Sequence, residues 1–98
     1  MTPTCSTVDG VSAWTIPYSH GRWLHREDGP AYVDISPDGE TAWYFNGAVH
    51  RIDGPAVVWN NGTVEWWLDD MPYSFNEYVK LAKWTDKQIV EWKLMREL

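Results

Sequence analysis

Residues 24–31 read Leu-His-Arg-Glu-Asp-Gly-Pro-Ala, and residues 49–56 read Val-His-Arg-Ile-Asp-Gly-Pro-Ala. Six of the eight positions are identical at an offset of 25 residues. A chain made of copies of so short a segment has to stack one supersecondary unit on the next, because a single copy cannot bury its own apolar face. The likeness continues downstream. Gly39 is followed four residues later by Trp43, and Gly62 by Trp66, so the first copy carries two extra residues around Ser36 and Pro37. Asn46-Gly47 then corresponds to Asp69-Asp70. A partial copy precedes these two (Asp9-Gly10, Trp14, His20-Gly21), and a degraded one follows them, ending at Met71 and Pro72. Atypical terminal copies are what the capping of a stack requires.

Each unit reads as two strands. Asp38-Gly39 and Asn61-Gly62 are two-residue hairpin signals, since a type I′ turn needs positive φ at both central positions. Asp9-Gly10 and Asn46-Gly47 fit the same reading. Pro30 and Pro55 begin strands, where the missing N–H is tolerated. The spacing predicts a β-meander with strands near 12–17, 22–25, 31–35, 40–45, 48–50, 56–59, 63–68 and 71–73. Residues 1–8 read as a loose N-terminal segment, 9–73 as the hairpin repeats and 74–98 as a helical tail, all in one domain.

Side chains alternate across a sheet with period two. That places Ala31, Val33 and Ile35, Ala56 and Val58, Trp43 and Phe45, and Trp66 and Leu68 on a core face. Tyr32, Asp34, Tyr44, Val57, Trp59, Glu65 and Trp67 fall on the other face, which is too aromatic for a routine solvent face. In the tail, Ser74 with Glu77 and Thr85 with Gln88 are capping boxes. They open a short helix to about Ala82 and a longer one to about Glu97. The longer helix places Ile89, Val90, Trp92, Leu94 and Met95 at helical spacing, and it should dock on the sheet.

Eight Trp, five Tyr and two Phe among 98 residues supply the large core side chains that a small domain needs. The net charge is −6. Residues 1–74 hold three Arg, no Lys and ten carboxylates, a net of −7, whereas residues 75–98 have a net of +1. Recognition of nucleic acid through phosphate neutralisation is therefore excluded as an expectation, and a basic or neutral protein partner is favoured. The single cysteine, Cys5, provides neither an intramolecular disulfide nor a zinc site. No apolar run resembles a signal peptide or a membrane span, so the expected compartment is the cytoplasm.

The repeated His25, Arg26, Asp28, Gly29 and Pro30, with His50, Arg51, Asp53, Gly54 and Pro55, invite a catalytic or metal reading. Active sites are usually unique in a chain, whereas residues that recur with the repeat hold the repeat together. These positions are therefore assigned structural roles: Asp28 and Asp53 close turns through main-chain bonds, Arg26 and Arg51 pair with carboxylates, and the imidazoles pack between hairpins. A metal is not expected, because adjacent units set the two imidazoles roughly 10 Å apart. Neither a cofactor nor an enzymatic activity is expected, since no nucleophile elbow or phosphate loop is present. The candidate binding residues are Tyr32, Asp34, Tyr44, Trp59, Glu65 and Trp67. Three occupants stay open for their face: the chain's own helices, a second copy in a homodimer, and a different protein.

The unit His-Arg-x-Asp-Gly-Pro-Ala, followed by a Gly turn, Trp and Asn-Gly, resembles the short repeats of bacterial and tailed-phage proteins, a variant of MORN-type β-hairpin repeats. The resemblance covers roughly residues 20–73. It implies an α+β, mainly β fold: an antiparallel meander of repeated hairpins followed by one short and one longer helix. It also implies a binding role, and by analogy an inhibitor of a bacterial host protein such as a defence-system (anti-CRISPR-like) component. The alternatives are a protein that sequesters a nucleotide signal, with Arg22, Arg26 and Arg51 on its phosphate, a DNA mimic, and a self-associating assembly component.

Overall fold

The computed structural model describes residues 2–97. An antiparallel sheet of eight strands is followed by two helices. The strands are β1 (Thr4–Val8), β2 (Val11–Tyr18), β3 (Gly21–Leu24), β4 (Tyr32–Asp34), β5 (Glu40–Ala42), β6 (Tyr44–Phe45), β7 (Ala48–Val49), β8 (Val57–Trp59), β9 (Val64–Leu68) and β10 (Met71–Tyr73). The order across the main sheet is β1-β2-β4-β5-β8-β9-β10, with β3 also paired to β2, while β6 and β7 form a separate two-stranded ribbon. The fold is thus the expected hairpin meander, with α1 (Phe75–Leu81) and α2 (Asp86–Glu97) behind it.

The repeat has a physical identity that its letters do not reveal. In each unit one strand changes partner at its tryptophan. Trp14 donates its N–H to Ala31 O and accepts from His25 N–H, and Trp43 donates to Ala56 O and accepts from His50 N–H. Before the tryptophan the strand pairs with the next long strand of the meander; after it, with the short return strand.

Several expectations need correction. Residues 4–8 are not loose: the Asp9-Gly10 turn, with φ of 51° and 82°, folds them back as the edge strand β1 in register Val8↔Val11. The Asn46-Gly47 and Asp69-Asp70 turns likewise hold both central residues at positive φ. Asp38-Gly39 is not a two-residue turn. A five-residue loop from Ile35 to Gly39 joins β4 and β5, with Pro37 inside a turn closed by Gly39 N–H to Ser36 O. Asn61-Gly62 belongs to a three-residue loop, in which Gly62 at φ 93° follows a turn closed onto Trp59 O.

Two residues assigned to the core face outward. Ile35 lies past the end of β4 and is 76% exposed, and Phe45, next to a turn, is 44% exposed. The main aromatic core is instead local. Trp66 on β9 is enclosed by Phe75, Tyr78, Trp84 and Trp92, with ring centroids 4.8–5.8 Å away. Both helices are capped as expected. Thr85 and Gln88 form the full reciprocal box, whereas Ser74 accepts Glu77 N–H and its own hydroxyl, not its main-chain N–H, meets the Glu77 carboxylate. However, α2 turns only Ile89 and Trp92 to this cluster, leaving Val90, Leu94 and Met95 exposed.

Candidate binding surfaces

The His-Arg-x-Asp-Gly-Pro loops are built identically. Arg26 Nε donates to Asp28 Oδ1 at 3.0 Å and its Nη1 to Pro30 O at 3.3 Å; Arg51 Nε donates to Asp53 Oδ1 at 2.9 Å and its Nη1 to Pro55 O at 3.1 Å. Each guanidinium lies over the partner-switching tryptophan before its loop, 4.3 Å from the Trp14 ring and 3.8 Å from the Trp43 ring. Such cation–π contacts contribute about 1 kcal/mol each. Asp28 and Asp53 therefore hold arginines and do not close turns onto the main chain. Gly29 and Gly54 form the other side of the sandwich: a Cβ on either would stand 3.0 Å or 2.7 Å from the guanidinium carbon.

The histidines link successive units. His25 Nδ1 accepts the N–H of Asn46 at 2.9 Å, and His50 Nδ1 accepts that of Asp69 at 3.1 Å. His25 is buried against Phe45. With their acceptor nitrogens turned to main-chain donors, the rings hold turns in place. Arg22 bonds Thr15 Oγ1 and Thr15 O. The three arginines that a phosphate would need are thus already committed, to three separate local tasks.

The candidate residues Tyr32, Asp34, Tyr44, Trp59, Glu65 and Trp67 share one side of the sheet, in three rows. Tyr32, Ala42, Val57 and Glu65 are successive cross-strand partners in the middle row. Glu40 opposite Trp59, with Asp34 beyond, makes the row at one end. Tyr44 and Trp67, two residues past Ala42 and Glu65, make the other. Ala42 and Val57, at 1% and 5% exposed, are covered by these larger neighbours.

Glu65 organises the patch. It accepts Trp59 Nε1–H on one carboxylate oxygen at 2.7 Å and Trp67 Nε1–H on the other at 2.9 Å. The two indoles are thereby fixed in orientation. Asp34 is less available than expected, because its carboxylate accepts Ser36 N–H in the β4–β5 loop. Glu40 was absent from the candidates, although its parity with Ala42 and Tyr44 would have placed it there. Burial, then the Glu65 and Asp34 charges, push its carboxyl above the ordinary range. Burial and the neighbouring Glu40 and Asp70 also raise the Tyr44 hydroxyl.

The helices do not cover this patch. They pack on Trp66 and its same-face neighbours Val64 and Leu68, whereas Glu65 and Trp67 alternate to the opposite face. No helix among the described residues is long and apolar enough to cross a membrane. The chain matches no family model, no curated protein and no solved structure.

Proposed function

We propose that the protein is a non-enzymatic protein-binding module, and that the face bearing Tyr32, Tyr44, Trp59, Glu65 and Trp67 is its contact surface. The observation that carries this reading is the Trp59–Glu65–Trp67 clamp on a face that the helices leave open. Tryptophan and tyrosine dominate binding hot spots, and pre-oriented side chains lose less entropy on association. With Glu40, Glu65 and Asp34 beside the rings, the partner surface is basic or neutral. The resemblance of the repeat to bacterial and tailed-phage proteins supports a phage-encoded inhibitor of a host protein, such as a component of a defence system, acting in the host cytoplasm.

The test is capture from bacterial lysate by immobilised protein. The wild type should retain one bacterial protein in stoichiometric amount. Trp59→Ala with Trp67→Ala, and separately Glu40→Lys, should lose it, while Ile35→Ala retains it. Capture unchanged by both face variants, with cooperative unfolding preserved, would remove this surface from consideration.

A further inference from the structure

The second His-Arg-x-Asp-Gly-Pro loop is occupied by the chain's own aromatic side chains. The Tyr78 hydroxyl donates to Arg51 O and lies 2.9 Å from Gly54 O, while accepting Gly54 N–H at 3.4 Å. Trp84 Nε1 donates to Ile52 O at 2.7 Å. Both rings lie against Trp66. Moved back one repeat, these receptor groups become Arg26 O, Gly29 O, Gly29 N–H and Glu27 O, beside Trp43, whose ring carries the Arg51 guanidinium where Trp66 carries Tyr78 and Trp84. The two loops share the same arginine–carboxylate bond, the same arginine–carbonyl bond and the same stack on tryptophan, the side-chain frame that surrounds these main-chain groups in both. Among the described residues, none of those four groups of the first loop has a hydrogen-bond partner. A groove of about 510 Å³ opens there, between the first loop and the second, with Trp43 and Phe45 in its lining.

We propose that this groove is a second binding site, specific for an uncharged aromatic side chain with a hydrogen-bonding tip, and that its occupant is a tyrosine presented by a partner protein. A phenol hydroxyl donates and accepts at once, as Tyr78 does, so it can serve a carbonyl and Gly29 N–H together. An indole only donates, and a phenyl ring does neither. A phosphorylated ring is disfavoured: both arginines of the groove are engaged by Asp28 and Asp53, and Glu27 adds a further carboxylate. The site involves Trp43, on the opposite side of the sheet from Glu65 and Trp67, so it stands apart from the surface described above.

The experiment is a titration of the isotope-labelled full-length protein, followed by amide and indole resonances, with N-acetyl-tyrosinamide as the probe. Saturable shifts should centre on Gly29 and the Trp43 indole. N-acetyl-phenylalaninamide should bind about tenfold more weakly, the loss expected for one hydrogen-bonded hydroxyl. The O-phosphorylated probe should bind more weakly still. Equal affinity for the tyrosine and phenylalanine probes would overturn the proposal, as would shifts centred on Gly54 or none up to the solubility limit. Ile52→Glu alters an exposed side chain of the groove wall while keeping the carbonyl that holds Trp84. It should weaken binding several-fold at an unchanged melting temperature; unaltered binding by this folded variant would also overturn the proposal.

Discussion

Gly54 demonstrates how a single residue can be fixed by its neighbour and not by its own backbone. Its φ lies outside the left-handed region, so glycine is not demanded by conformation. What demands it is the Arg51 guanidinium, pressed between the Gly54 Cα and the Trp43 ring. Gly54→Ala should therefore cost about 1–3 kcal/mol in denaturant unfolding, the range for overpacking. In an Arg51→Ala background most of that cost should vanish, a coupling that a double-mutant cycle reads directly. Glu40 offers a different test. Its carboxyl is raised by burial and by Glu65 and Asp34, so the charged form opposes folding at neutral pH. Stability from its protonated form is gained as pH falls through the raised value. Glu40→Gln should accordingly melt higher than wild type at pH 7. That advantage should shrink on acidification and disappear below the ordinary value of 4.5. An advantage constant across this range would mean that the carboxyl charge is not its source.

At the scale of elements, the turns decide register. Asp9-Gly10, Asn46-Gly47 and Asp69-Asp70 each place two residues at positive φ, but only the last lacks glycine. Asp69 and Asn46 share a φ of 48° and both donate their N–H to the histidine of the preceding His-Arg loop. Asp69→Asn should therefore raise stability, by about 0.5 kcal/mol, because asparagine enters this region more readily and a carboxylate beside Asp70 is removed. Denaturant midpoints at constant slope measure it. Asp70 is less replaceable, since its carboxylate accepts Val49 N–H at 2.7 Å. The two turns that departed from expectation did so through their flanks. Pro37 and the Asp34–Ser36 bond build a longer loop ahead of Gly39, and Asn61 Oδ1 draws in Thr63 N–H to make a three-residue loop.

At the scale of the molecule, the helical tail completes the repeat stack. Where a third loop would lay an arginine on Trp66, the chain supplies Phe75, Tyr78 and Trp84. Tyr78 is the latch, fully buried, its hydroxyl donating to Arg51 O and lying 2.9 Å from Gly54 O. Burial pushes its hydroxyl up to about 12, so the folded state resists its ionisation. Stability should fall as pH rises from about 10 towards 12, and Tyr78→Phe should both lower the melting temperature at pH 7 and flatten that alkaline decline. An undiminished alkaline slope in the variant would assign it to another group. The 25-residue offset, the period-two alternation and the capping boxes were enough to yield the meander, both helices and the shared face of Tyr32, Tyr44, Trp59, Glu65 and Trp67. All of these follow from local geometry, which is written in consecutive residues. What tertiary structure alone decided is which side of the sheet the helices occupy, that Glu65 holds two indoles, and that Asp28 and Asp53 serve arginines. The first depends on the tail and the second on an indole across the β8–β9 hairpin, while the two-residue Asp–Arg bonds depend on guanidinium groups laid over Trp14 and Trp43; alternation is the same whichever face is covered. Only the twist and packing of the assembled sheet select one face for Trp66 and its helices, leaving Trp67 on the other.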